Sequence, residues 1–213
     1  MQEMVLIIDT ETTGLRGIPK DRVLEMGIAE YDEVSGNISP VYSEMIRYDD
    51  IVEFDSKYVN PDGSQGIWIY RNSDMRLEDT LNAAKDLDTV VREVREIVSG
   101  KEVTSYNVGF DFGKFLYQEP WNIRNIVTRK IDIMKLATTK VYELADSDSI
   151  EDKGLQERLL REREDSPYPE KWVRPQDAYR VLCPDNPMRL GNQTHRALDD
   201  AIMEGWILKA LTE

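Results

Sequence analysis

The apolar run Met4-Val5-Leu6-Ile7-Ile8 passes directly into Asp9-Thr10-Glu11, and this junction constrains the chain more than any other feature. The run reads as a strand. Alternation along a strand puts side chains 9 and 11 on the same side, so two carboxylates meet where the strand ends. Like charges this close repel, and an ordinary strand end would more often carry a turn residue. Hard oxygen ligands bind Mg2+ or Mn2+, and a bound cation lets both acids stay ionised. Two acids on a surface turn remain the alternative reading of this junction.

After it, Arg22–Asp32 and Val41–Tyr48 are strand-like and separated by the turn residues Ser35-Gly36-Asn37, which predicts a three-stranded antiparallel meander. Residues 49–76 read as a loop, with Asn60-Pro61-Asp62-Gly63 as the turn of a hairpin. Leu81, Ala84, Leu87, Val91, Val94 and Val98 recur at helical spacing, predicting a helix over 80–98 that Gly100 ends. A short strand at 102–106, a helix over 107–117, a strand at 130–133 and a helix over 134–144 follow. Residues 145–175 are charge-rich and close on Ser166-Pro167-Tyr168-Pro169. They read as a solvated helix carrying i,i+4 pairs such as Glu157 and Arg161, or as an arm for a substrate or partner. Helices at 176–182 and from about Thr194 to Leu211 complete the chain. Strands first, then strand and helix in alternation, predict an α/β protein. Its mixed central sheet is a three-stranded antiparallel meander plus parallel strands, flanked by helices.

A length of 213 residues predicts one domain, 1–213, with a charged insertion at about 145–175. One cysteine, Cys183, supports neither an internal disulfide nor a thiolate zinc cluster, and reads as a buried helix residue. No apolar run approaches the roughly 20 residues of a membrane span, and nothing at the N-terminus resembles a secretory signal. The expected setting is therefore intracellular, in the cytoplasm, with no membrane partner. The net charge of -14 is opposite to the basic footprint of a nucleic-acid binder. That objection weakens if several acids hold cations, because a loaded carboxylate cluster presents a positive face to phosphate.

Read onward, the first junction is Asp9-Thr10-Glu11-Thr12-Thr13-Gly14-Leu15. A second stretch, Asn107-Val108-Gly109-Phe110-Asp111, follows a strand, and a third, His195-Arg196-Ala197-Leu198-Asp199-Asp200, opens the last helix. In this order the three resemble the motifs of the DnaQ-like, or DEDDh, family of 3'-5' exonucleases, including the proofreading epsilon/PolC-type domains. The resemblance brackets nearly the whole chain and implies an RNase H-like exonuclease fold. It implies Asp9, Glu11, Asp111 and Asp200 as ligands of two divalent ions, Mg2+ or Mn2+, and His195 as general base. Thr12, Thr13 and Leu15 would flank the terminal nucleotide, Phe110 would pack beneath the site, and Asn107 would bond either its own loop or the substrate. The implied partners are nucleic acid 3' ends, DNA ahead of RNA because Thr12 stands where oligoribonucleases usually carry Met. A polymerase or another replication or repair protein is the implied protein partner.

Two points are left open by spacing alone. If residue 195 were already helical, Asp199 at i+4 would share its face and Asp200 would not; an unwound Asn192-Gln193-Thr194 lead-in would let His195 meet Asp200 instead, and Asp200 is the expected ligand. The family's Ile-His-Gly-Ile-like segment has Ile69-Tyr70-Arg71-Asn72 as its nearest counterpart, with Tyr70 in the His position. An exoribonuclease and a catalytically silent binding module are the competing functions. Retention of all four carboxylates and the histidine argues against the second.

Overall fold

The computed structural model describes residues 4–129, 131–168, 170–186 and 195–213. β1 (Met4–Thr12), β2 (Val23–Asp32) and β3 (Asn37–Arg47) form the antiparallel meander. β3 begins earlier than its apolar pattern suggests, because the turn closes tightly from Asp32 to Gly36, whose φ is +71°. β5 (Glu102–Thr104) pairs parallel to β1, β6 (Thr128–Arg129) parallel to β5, and β4 (Lys85–Asp86) parallel to β3. The six-stranded order is β4-β3-β2-β1-β5-β6, which makes β1 a central strand with its two acids near its C-terminal end.

Alternation divides the core between the two faces of the sheet. Val5, Ile7, Ala29 and Tyr31 pack with helices α6 (Ile133–Asp146), α8 (Pro175–Leu182) and α9 (Ala197–Thr212). Leu6, Ile8, Met26 and Ile28 pack on the other face with α4 (Leu87–Val98), Phe112, Phe115 and Trp121. A smaller cluster of Leu24, Ile51, Tyr58, Ile67 and Met75 lies under α1 (Ile51–Lys57), α2 (Ile69–Asn72) and α3 (Leu77–Leu81).

Several elements differ from the sequence pattern. Residues 49–76 hold α1 and α2, while the expected hairpin is reduced to one bridge, Val59 to Gln65. The helix expected over 80–98 is interrupted: α3 ends at Leu81, β4 intervenes, and the Asp86 carboxylate caps α4 by accepting from the Thr89 N–H at 3.0 Å. The helix after β5 starts as α5 (Val108–Phe110) and widens into a π-helical turn, Asp111–Leu116, in which the Tyr117 N–H bonds the Phe112 carbonyl five residues back. The strand expected at 130–133 lies earlier, at β6; Lys130 is outside the described residues. Within 145–175, α7 (Lys153–Glu164) buries Leu155 and Leu159, and its i,i+4 ion pair joins Arg158 to Glu162. Cys183 is half-buried at the end of α8 rather than inside it. Among the described residues no helix is long and apolar enough to cross a membrane.

Candidate active site

β1 and β5 run parallel, so the acids near the C-terminal end of β1 lie at the same sheet edge as the turn that follows β5. That turn leads through Asn107 into α5 and delivers Asp111, whose carboxylate accepts the Thr10 hydroxyl at 2.7 Å. α9 crosses the face above β1 and β2 and brings Asp200 down from its first turn. Glu11, His195 and Asp200 each place a potential ligand atom within 4.8 Å of the other two. His195 has φ +51°, off the helix, and α9 begins two residues later. Of the two acids in the third motif, Asp200 is buried in the cluster and Asp199 lies on the exposed side. The Asn192–Thr194 lead-in is outside the described residues.

Negative charge is concentrated here, and the Arg196 guanidinium opposes only part of the rise at Glu11. Asp9 remains partly open to solvent, but burial of its carboxyl pushes its pKa well up, and Glu204, Asp111, Glu11 and Asp200 push it further. Glu11 is raised by burial and then by Asp200 and Glu25. Burial lifts Asp111 to about 7 even though the Thr10 hydroxyl opposes the shift. Glu204, one helical turn beyond Asp200 and 2% exposed, is raised by burial and by Asp111 and Asp200, while its carboxylate accepts the Tyr106 N–H at 3.0 Å. Buried like charges must take up protons or hold cations. The oxygen-rich donor set fits hard divalent ions such as Mg2+ or Mn2+, with Asp9, Glu11, Asp111 and Asp200 as the residues able to hold them. His195 moves the other way, its pKa held below the usual histidine value by burial.

The cluster opens into a cavity of about 510 Å3 lined by Thr10–Leu15, Asn60–Asp62, Trp68, Ile69, Phe110 and His195. Leu15 is 64% exposed at its mouth and Trp68 49%. The Trp68 ring meets the His195 ring edge-on, with centroids 5.6 Å apart. The Thr12 hydroxyl donates to the Gly14 carbonyl at 2.8 Å, and the Thr13 hydroxyl accepts the Arg22 N–H at 3.0 Å. Both threonines therefore shape the loop that carries Leu15 as well as lining the cavity. Phe110 lines the cavity and stacks edge-on against Phe115.

Asn107 caps α5, its side-chain oxygen accepting the Phe110 N–H at 3.1 Å, and is not among the lining residues. Of the two bonding options left by the sequence, the geometry uses the loop. Tyr70 turns away, donating its hydroxyl to Thr80 at 2.8 Å beneath α2. Trp68, two residues earlier, occupies the cavity wall instead. Sequence reading passed over Glu204 as well as Trp68; its only signal was an acid one turn after Asp200 on a helix face that is otherwise apolar.

A mixed sheet with a buried carboxylate cluster at one strand edge and an open apolar cleft above it belongs to a class of phosphodiester-cleaving enzymes. The chain belongs to the RNase_T exonuclease family, whose model matches residues 6–159, so His195 and Asp200 lie beyond the matched span. No curated protein matches the sequence. Solved structures similar in fold include a 3'-exonuclease bound at the 3' end of a histone mRNA stem-loop. It is 13% identical, with TM-score 0.57, and the match covers 98% of this chain and 80% of that one. E. coli Exonuclease I in complex with a dT13 oligonucleotide is 16% identical, with TM-score 0.58, covering 98% of this chain and 40% of that one. The present chain thus spans under half of the Exonuclease I chain. The fold is the RNase H-like exonuclease fold.

Proposed function

We propose that the protein is a metal-dependent 3'-5' exonuclease of the DEDDh type, acting on single-stranded or frayed DNA 3' ends and releasing nucleoside 5'-monophosphates. The observation that carries this reading is the convergence of Glu11, His195 and Asp200 within 4.8 Å, with Glu11 and His195 lining the cleft that Leu15 and Trp68 also line. Asp9, Glu11, Asp111 and Asp200 would hold two divalent cations, Mg2+ or Mn2+. When bound, these ions acidify the attacking water and stabilise charge on the phosphate and the leaving oxygen. His195 takes the proton of that water at an imidazole nitrogen. The depressed pKa of His195 keeps it in the accepting form at neutral pH. Leu15, Phe110 and Trp68 offer apolar surface to the terminal base, which must be unpaired to enter between them.

Thr12 supports DNA over RNA, as the sequence resemblance suggests. Among proteins of similar fold, one recognises a histone mRNA stem-loop and another is in complex with a dT13 oligonucleotide, so both nucleic acids enter the test. A polymerase or other replication protein that tethers the enzyme to its 3' ends is the partner class of the epsilon/PolC-type reading. The test uses matched 5'-labelled single-stranded DNA, mismatched duplex DNA and RNA, each incubated with Mg2+ or Mn2+. A ladder shortening one nucleotide at a time on DNA is the expected result. Cleavage of RNA alone would move the assignment to an exoribonuclease, and no cleavage of any substrate would overturn it.

A further inference from the structure

Glu25 lies on β2 directly across from Glu11 on β1, and Gly27 directly across from Asp9. All four side-chain positions therefore face α9. Glu25 is 1% exposed, yet it is no metal-cluster member: its carboxylate is committed to the chain between His195 and Asp200. It accepts the Arg196 guanidinium at 2.7 Å from Nη2 and at 3.0 and 3.1 Å from Nε, and the Ala197 N–H at 3.2 Å. Gly27 completes the seat. A Cβ there would fall 2.1 Å from the Ala197 carbonyl carbon and 2.2 Å from the Leu198 nitrogen, distances at which something must move.

We infer that Glu25 and Gly27 form a seat on β2 that positions His195 and Asp200 together, and that Glu25 is a positioning residue for the proposed reaction. Glu25 draws the first residues of α9 down through a three-point carboxylate contact, and Gly27 lets the backbone come close enough to be held. Residue 195 lies immediately before the clamp and residue 200 one turn after it. A shift at residues 196–197 therefore displaces base and ligand in the same step, whereas Asp9 and Glu11 stay fixed on β1. Charge-assisted, bidentate contacts of this kind add geometric specificity as well as strength. Residues that orient ligands from behind are worth about 10- to 100-fold in metal affinity or activity.

The inference rests on the proposed nuclease reading, and its test separates the two. Glu25→Asp keeps the charge but shortens the reach, Glu25→Gln keeps the reach but loses the charge, and Gly27→Ala pushes on α9 with no change of charge. Each variant is assayed for kcat and KM on single-stranded DNA with Mn2+, and for the rise in melting temperature on adding Mn2+ alone. Positioning predicts that Glu25→Asp and Gly27→Ala lose about 10- to 100-fold in kcat with KM unchanged, and show a smaller Mn2+-induced rise. Glu25→Gln should lose both as well, because each carboxylate oxygen accepts an N–H and the amide nitrogen cannot. The inference is overturned if Glu25→Asp keeps native kcat and the native Mn2+ response. It is also overturned if Glu25→Gln keeps native kcat and the native Mn2+ response. If the native protein cleaves no nucleic acid, the nuclease reading fails, while the Mn2+ melting response still reports on the seat.

Discussion

Asp111→Asn should make the metal-free protein more stable while abolishing its activity. The carboxyl of Asp111 is 3% exposed, and its pKa is lifted from the ordinary 3.8 to about 7, chiefly by burial. Between these two values the folded state binds a proton that the unfolded state has released, so stability falls as pH rises through this window and the full cost is present above it. The shift corresponds to about 4 kcal/mol. Asparagine has the same shape and can still accept the Thr10 hydroxyl, but carries no charge to desolvate. For a chain of this size the difference translates to roughly 10 °C in melting temperature.

The assay is thermal unfolding of both proteins in EDTA at pH 4 and pH 8, repeated with Mn2+ at pH 8. The two should melt alike at pH 4. The variant should lead at pH 8 in EDTA, and the native protein should recover with Mn2+ while the variant gains less. A variant no more stable than the native protein at pH 8 in EDTA would refute the reasoning. It would mean that the buried acids carry no electrostatic strain for a cation to relieve.

Three further outcomes are expected. Asp9→Ala should reduce hydrolysis by more than the about 100-fold that loss of a supporting residue costs and leave the fold intact by circular dichroism; native-rate cleavage would remove the metal assignment. Because burial depresses the His195 pKa, kcat should hold at neutral pH and fall on the acid side only below the ordinary histidine value of 6.5, as the imidazole takes up the proton it must leave free. That limb should vanish in the residual activity of His195→Ala, and its persistence would assign the base elsewhere. Single-strand DNA affinity measured with Ca2+ should weaken with salt at a slope of magnitude about 2 to 3. Many basic side chains are already committed within the chain, including Arg16 with Asp21, Arg22 with Asp50, Lys57 with Glu53 and Arg163 with Asp146; a steep slope would reveal an extended basic track.

What could be read from the sequence follows the range of the interactions involved. The meander was legible because strand period and turn residues are local, and the three motifs because each sits at the end of an element that marks itself. α1 and α2 were not, since helices of seven and four residues are too short to establish a period and are held by the core beneath them. The break before α4 was hidden because Leu81 and Ala84 continue its apolar spacing by coincidence; Asp86, with Thr89 three residues on, was the cap signal that competed with it. Glu204 and Glu25 were invisible for a different reason. In sequence they are two ordinary acids among 41 acidic residues, and only the crossing of α9 over β1 and β2 turns one into a member of the cluster and the other into a clamp.

The π-helical turn that begins at Asp111 makes chain length a forgiving quantity at this point. Gly113 and Lys114 are exposed. The turn closes over five residues rather than four, so it takes up one residue more than an α-helical turn, and removing one would let it tighten into that turn. Side chains beyond the deletion would keep their facing. Phe115 and Leu116, both fully buried, would stay in their core. Deletion of Gly113 should therefore be tolerated far better than a deletion inside α4 or α9, where every later side chain would rotate about 100° around the axis, and homologous chains that lack the residue should need no compensating insertion before Trp121.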